Sequence, residues 1–129
     1  MKLEVAMYVR TNSGIRKCIT VDYDNTYEFD EEIYNEYGDA LLWLDEDEGE
    51  LEKYISKASH NIIDLIEVGD YVNGFRVDEI GEYHSIRTDK VETYAKVNCS
   101  ALLNCFYEED IKSIVTKEQF ESMSYKVGE

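Results

Sequence analysis

The chain has 129 residues, a length that suits one domain or two very small ones, and carries 29 acidic against 13 basic side chains for a net charge of −16. That balance excludes binding to DNA or RNA through phosphates, which needs a Lys/Arg footprint, and excludes docking on anionic membranes. It favours a basic protein partner reached by electrostatic steering, the bland alternative being that acidity only keeps the chain soluble.

In chain order, "YVRTNSGIRKCITV" predicts a turn at Asn12-Ser13-Gly14 and a strand over Ile15–Val21. Arg10, Arg16 and Lys17 cluster around this turn as the compact basic patch of the N-terminal half; they either hold a small anion or pair with the acidic residues that follow. From Cys18 to Glu52 there is no Lys or Arg, but fourteen Asp and Glu, with Tyr23, Tyr27, Phe29, Tyr34, Tyr37 and Trp43 among them. Inside this stretch "ALLWL" predicts a strand over Ala40–Leu44, and "DEDEGELE" a charged loop after it. Ser59 is read as the cap of a helical turn before "NIIDLI". Asn73-Gly74, between "DYV" and "FRVDEI", is the strongest hairpin signal, because a type I′ turn wants positive φ at both central positions. Strands follow at Phe75–Ile80, Tyr83–Thr88, Glu92–Val97 and Lys112–Val115. Thr116 and Gln119 have the spacing of a capping box, so a short helix is expected there. Phe120 is then expected to pack inward, and Tyr125-Lys126-Val127 to form a closing strand.

The halves read alike. "YVRTNSGIRKCITV" matches "YVNGFRVDEI", and "EKYISKASHNIIDLI" matches "EDIKSIVTKEQFESMSYKV". The order strand, turn, strands, one-turn helix, strand is that of a small SH3-like barrel, which needs about 60 residues. The expected fold is therefore mainly β: two small SH3-like barrels in tandem with short helical turns. Residues 1–58 form the first, with an acidic-aromatic insert, and 59–129 the second, joined near Ser56–Ile63. A single mixed β-sheet domain is the alternative.

No catalytic signature is present: P-loop, GxGxxG, HExxH and GxSxG are all missing. Asp22-x-Asp24-x-Thr26 starts like an EF-hand loop, but Tyr27 stands where glycine is required and Ile33 where a bidentate Glu belongs. His60 and His84 are isolated. Cys99 and Cys105 lack the second close pair that a zinc site needs, and Cys18 reads as a small core residue. Three cysteines without a CxxC, and no apolar leader segment, predict a reducing cytoplasm. No apolar run approaches the roughly 20 residues that span a bilayer. No enzyme activity, cofactor or metal is expected.

"NIIDLIEVGDYVNGFRV" and "DIKSIVTKEQFESMSYKV" resemble motifs of a widespread set of small phage and prophage proteins of Gram-positive bacteria, and "YVRTNSGIRK" resembles their opening segment. The resemblance covers somewhat less than half of the chain and leaves out Tyr23 to Glu52. It implies a mobile-element origin and a small β-barrel scaffold in the cytoplasm of the bacterial host, but no activity. By analogy of class, small acidic phage proteins include inhibitors of host defence such as anti-CRISPR proteins. Carboxylates can stand in for phosphates, and Tyr rings can stack on Arg. The expected partner is therefore a basic host protein, a nucleic-acid-guided CRISPR nuclease being the foremost target. The expected contact residues are Asp22, Asp24, Glu28, Asp30, Glu31, Glu32, Tyr34, Glu36, Tyr37, Asp45, Glu46, Asp47 and Glu48. Two alternatives stand beside this. One is a sponge for a host signalling nucleotide, built on Arg10, Arg16, Lys17, Arg76 and Arg87. The other is a phage accessory protein with no inhibitory role.

Overall fold

A computed structural model describes residues 2–22, 24–97 and 105–123. Tyr23, Cys99 and the expected closing strand Tyr125–Val127 lie outside the described residues. The chain forms two compact units, which divide between Asn61 and Ile62. The fold is mainly β, as the alternating aromatic and β-branched runs predict.

In the first unit β1 (Tyr8–Thr11), β2 (Gly14–Val21), β3 (Thr26–Tyr34) and β4 (Ala40–Asp45) form an antiparallel meander. The short helix α1 (Glu50–Tyr54) leads into β5 (Ile55–Ser59), which pairs with the outer side of β1 to give the order β4-β3-β2-β1-β5. The second unit begins with a 3-10 turn at Ile62–Leu65. It repeats the plan with β6 (Tyr71–Val72), β7 (Phe75–Ser85), β8 (Lys90–Val97), β9 (Cys105–Phe106), a 3-10 turn at Glu108–Asp110, and β10 (Ile114–Val115). Its order, β10-β6-β7-β8-β9, is the same topology. The helix α2 (Lys117–Met123) follows.

Neither sheet closes into the expected barrel. In the first unit α1 packs against β4 and β5, so a helix rather than a ladder bridges the open side. In the second, the end strands β9 and β10 have two residues each among the described residues, and no ladder joins them there.

The structure places the repeat on firmer residues than hairpin spacing alone. "LEVAMYV" (Leu3–Val9) and "IEVGDYV" (Ile66–Val72) open the two units with one and the same turn. Met7 N–H donates to Glu4 O at 3.1 Å, and Asp70 N–H to Glu67 O at 3.1 Å. Ala6 N–H reaches Cys18 O at 2.8 Å and Gly69 N–H reaches Val77 O at 2.9 Å; the return bonds run from Cys18 N–H to Met7 O and from Val77 N–H to Asp70 O. Ala6 and Gly69 both have positive φ, 73° and 98°. The cores correspond as well. Leu3, Val9 and Cys18 sit with Tyr27, Phe29, Ile33, Leu44, Leu51 and Ile55 in one; Ile66, Val72 and Val77 sit with Ile63, Ala95 and Val97 in the other.

Several expectations change at the level of elements. Phe75–Ile80 and the start of the expected strand Tyr83–Thr88 are one strand, Phe75–Ser85, because Gly81 is not a break: it faces Tyr94, whose ring fills the space a Cβ would need; Ile86, Arg87 and Thr88 belong instead to the turn before β8. β3 lies where only an acidic insert was expected. Tyr27, Phe29 and Ile33 are its buried residues, and the run of carboxylates between them hid the alternation. Lys112 and Ser113 precede β10 rather than belonging to it. Asn73 and Gly74 do form the two-residue turn with both φ positive, 53° and 86°. The Asn73 side chain also donates to Asp110 O and accepts the N–H groups of Lys112 and Ser113, so the turn anchors the segment before β10. Thr116 caps α2: Gln119 N–H donates to its hydroxyl at 3.2 Å while Thr116 N–H donates to Gln119 Oε1 at 2.9 Å. Ser59 accepts the Asn61 N–H just before the turn at Ile62–Leu65. Phe120 does not enter the core; it stacks on Tyr71 with ring centroids 4.5 Å apart and stays half exposed.

Candidate functional site

The cation-free segment becomes the outer half of the first sheet and the turns around it. Its hairpin, β3 and β4, is irregular. Glu28 pairs with Trp43 and Ile33 with Leu41, so Phe29–Glu32 stand opposite Leu42 alone. Three consecutive carboxylates at Asp30, Glu31 and Glu32 repel one another and favour such an arch over a flat ladder. Arg16 holds the arch from beneath. Its Nε donates to Glu32 O at 2.9 Å, its other nitrogens donate to Ser13 O and Ile15 O, and Nη1 lies 3.5 Å from Glu31 Oε2. Asp30 accepts the Lys17 N–H at 2.9 Å, and Ser13 Oγ accepts the Tyr34 N–H. A guanidinium supplies these donors in a rigid fork, which an ammonium cannot do.

The arch borders an open groove of about 610 Å³, lined among others by Ile19, Leu42, Phe29, Glu28 and Tyr34. Ile19 and Leu42 are exposed to 45% and 58%, large values for apolar side chains on a sheet. Glu28 has Thr20 as its partner on β2 and Trp43 on β4, and Trp43 is half exposed. Tyr34 donates its hydroxyl to Glu32 at 3.0 Å, and that carboxylate holds the Tyr34 phenol above its ordinary range. At the closed end of the hairpin Asn35 Oδ1 accepts the N–H groups of Tyr37 and Asp39, which leaves the Tyr37 ring exposed beside Glu36. Glu36 is 3.8 Å from Lys53, an exposed pair of little energetic weight.

At the open end the turns after β2 and β4 meet. Glu46 N–H donates to Asn25 O at 2.9 Å, Asn25 Nδ2 reaches Asp47 at 3.4 Å, and the buried Tyr27 donates its hydroxyl to Glu46 at 2.9 Å. Asp45 accepts the Asp47 N–H. Asp22, Asp24 and Glu48 are exposed there. The sequence-predicted contact residues thus fall into two groups. Asp22, Asp24, Asp45, Glu46, Asp47 and Glu48 gather at one end of the hairpin; Glu28, Asp30, Glu31, Glu32, Tyr34, Glu36 and Tyr37 run along the arch and the other end. What sequence reasoning missed is the apolar component between them, Ile19, Leu42 and Trp43. The signal was present: in a five-residue run of uncharged residues such as "ALLWL", alternation must turn part of the apolar surface outward.

The basic patch is not an open anion pocket. Arg10 and Arg16 are buried, and the Lys17 ammonium lies 5.6 Å from the centre of the Tyr8 ring. The histidines face carboxylates, His60 to Glu4 at 2.8 Å and His84 to Asp89 at 2.9 Å. Among the described residues no three His, Cys, Asp or Glu side chains come together to hold a metal. No helix among them is long and apolar enough to cross a membrane. No protein-family model, curated protein or solved structure matches the chain.

Proposed function

We propose that this chain is a non-catalytic binding protein whose first unit takes a cationic surface of another protein on its acidic, aromatic sheet face. The observation that carries this reading is the half-exposed trio Ile19, Leu42 and Trp43, set among the carboxylates of Glu28 and the Asp30–Glu32 arch in a stretch without a cation from Cys18 to Glu52. Exposed apolar and aromatic side chains supply contact area, and the surrounding carboxylates select for charge. The partner class is a protein whose basic groove serves nucleic acid, which the carboxylates would compete for in the place of phosphates. In its specific form, the chain is a phage-encoded inhibitor acting in the bacterial cytoplasm on a host defence protein, a nucleic-acid-guided CRISPR nuclease foremost. The shared strand order of the two units and the return of the last strand to the first support reading each as an opened SH3-like barrel, two in tandem. The burial of Arg10 and Arg16 removes two of the five cations that a nucleotide sponge would use.

The test is binding to a purified basic nuclease at increasing salt, with and without its nucleic acid. Affinity that falls steeply with salt, and competition by nucleic acid for the same surface, are the expected results. Affinity insensitive to salt, or simultaneous binding of nucleic acid, overturns the reading.

A further inference from the structure

The carboxylates along the groove of the first unit are not equivalent. Asp30 accepts the Lys17 N–H, Glu31 lies against Arg16, and Glu32 accepts the Tyr34 hydroxyl, so each is engaged within the chain. Glu28 differs. It is partly buried and lines the groove with Ile19 and Leu42, and among the described residues no hydrogen bond or ion pair holds its carboxylate. Arg16 lines the groove too, but its nitrogens go to the Ser13, Ile15 and Glu32 carbonyls and to Glu31.

Register puts Glu28 among specific neighbours. β3 buries Tyr27 and Phe29, so Glu28 between them stands on the face away from the core. Thr20 on β2 and Trp43 on β4 are its register partners, and residues directly opposite on antiparallel strands share a face with Cβ atoms about 5 Å apart. A hydroxyl, a carboxylate and an indole thus form one row across three strands. Ile19 and Leu42 sit where the two ladders shift register, and both are exposed beside the row. A carboxylate partly withdrawn from water next to an aromatic ring and aliphatic walls is complementary to a cation arriving from outside. A guanidinium fits better than an ammonium. It is planar and weakly hydrated, so it stacks on an indole while its fork of N–H groups bonds carboxylate and hydroxyl, and its aliphatic stem packs on apolar walls. We infer that the row Thr20, Glu28 and Trp43, walled by Ile19 and Leu42, is the seat of one arginine side chain projecting from the partner protein. The inference rests on the reading that this face takes a cationic partner, and it adds the anchor: the surrounding carboxylates supply the field, and Glu28 with Trp43 supplies the contact.

Trp43 is the sole tryptophan of the chain, so its fluorescence reports on the seat itself. The probes are three blocked Gly-Ser-X-Ser-Gly peptides, with X arginine, lysine or citrulline, the neutral isostere of arginine. Each is titrated to millimolar concentration against the full chain at low salt. Expected are a saturable Trp43 response to the arginine peptide, affinity lower by about fivefold or more for lysine, and no response to citrulline. Glu28→Gln is expected to weaken the arginine peptide by about tenfold, as loss of a charge-assisted bond requires, with folding checked by circular dichroism. Glu79→Gln, which removes one exposed charge from the second unit, is expected to leave binding unchanged. If lysine binds as well as arginine, or Glu28→Gln has no more effect than Glu79→Gln, the arginine seat is wrong and the cationic reading survives. If citrulline binds as well as arginine, both fall. Absence of a Trp43 response to the arginine peptide overturns the inference.

Discussion

At the scale of single residues, Ala6 and Gly69 test the repeat. Both stand third in the opening turn with positive φ, where an L side chain is strained by about 1–2 kcal/mol and glycine is not. Allowing for the greater freedom of glycine in the unfolded chain, Ala6→Gly should stabilise by about 0.5–1 kcal/mol, and Gly69→Ala should destabilise by a similar amount. A Cβ at Gly69 would meet only Lys117 side-chain atoms at ordinary contact distance, so the backbone sets the sign. Urea unfolding midpoints of the two variants check the pair. Tyr27 supplies a second residue-scale prediction. Burial, and then its bond to Glu46, raise its phenol above the ordinary 10.0, and burial raises the Cys18 thiol above 9.0. A raised folded pKa gives stability that is complete below the unfolded value and lost as pH climbs through the folded one. The protein should therefore weaken above about pH 9–10. Tyr27→Phe should cost about 1 kcal/mol at neutral pH and lose less than the parent as pH rises, read from thermal midpoints across that range.

At the scale of elements, the N-terminus of α2 is held from two sides. The buried Thr116 caps it, and the buried Asp70 accepts the Lys117 N–H at 2.8 Å and the Glu67 N–H at 2.7 Å. Lys117 Nζ closes back on Glu67 at 2.8 Å. One carboxylate thus ties the opening turn of the unit to its last helix. Thr116→Ala should lower stability by about 1 kcal/mol, measured as a shift in unfolding midpoint. An unchanged midpoint would mean that Asp70 alone orders the helix start. β3 is the opposite kind of element. Its local sequence, with Asp30-Glu31-Glu32 in the middle, disfavours a strand, and it exists because Tyr27, Phe29 and Ile33 are buried and Arg16 neutralises and anchors the arch.

At the scale of the whole molecule the question is what a charge of −16 does. Asp22, Asp24, Asp47 and Glu48 at the open end of the β3–β4 hairpin are exposed, the position from which charges steer encounter. Reversing Asp45, Glu46, Asp47 and Glu48 to Lys should slow association with a basic partner much more than it speeds dissociation. Replacing Tyr37, 80% exposed, or Trp43, 50% exposed, by Ala should instead speed dissociation, by the equivalent of about 2 kcal/mol for a residue at the centre of the contact. Stopped-flow or surface kinetics at low salt separate the two. Unchanged kinetics in the charge-reversed protein would leave the carboxylates a role in solubility alone.

The sequence by itself determined the mainly β class, the Asn73-Gly74 turn, the Thr116 cap and the strands over Ile15–Val21, Ala40–Leu44 and Glu92–Val97. These depend on local rules: positive φ, side-chain caps and alternation are written in neighbouring residues. It also marked the cation-free stretch, because charge is additive along the chain. Only the tertiary structure decided that β3 is a strand, since the burial that stabilises it comes from β2, β4 and Leu3 rather than from its own acidic neighbours. The same holds for Arg16, read as part of a basic patch and found as the buried anchor of the arch, and for Gly81, whose neighbour Tyr94 lies thirteen residues away in sequence. The division of the carboxylates into two groups with Leu42 and Trp43 between them is likewise a fact of register, and register is set by which side chains the core accepts.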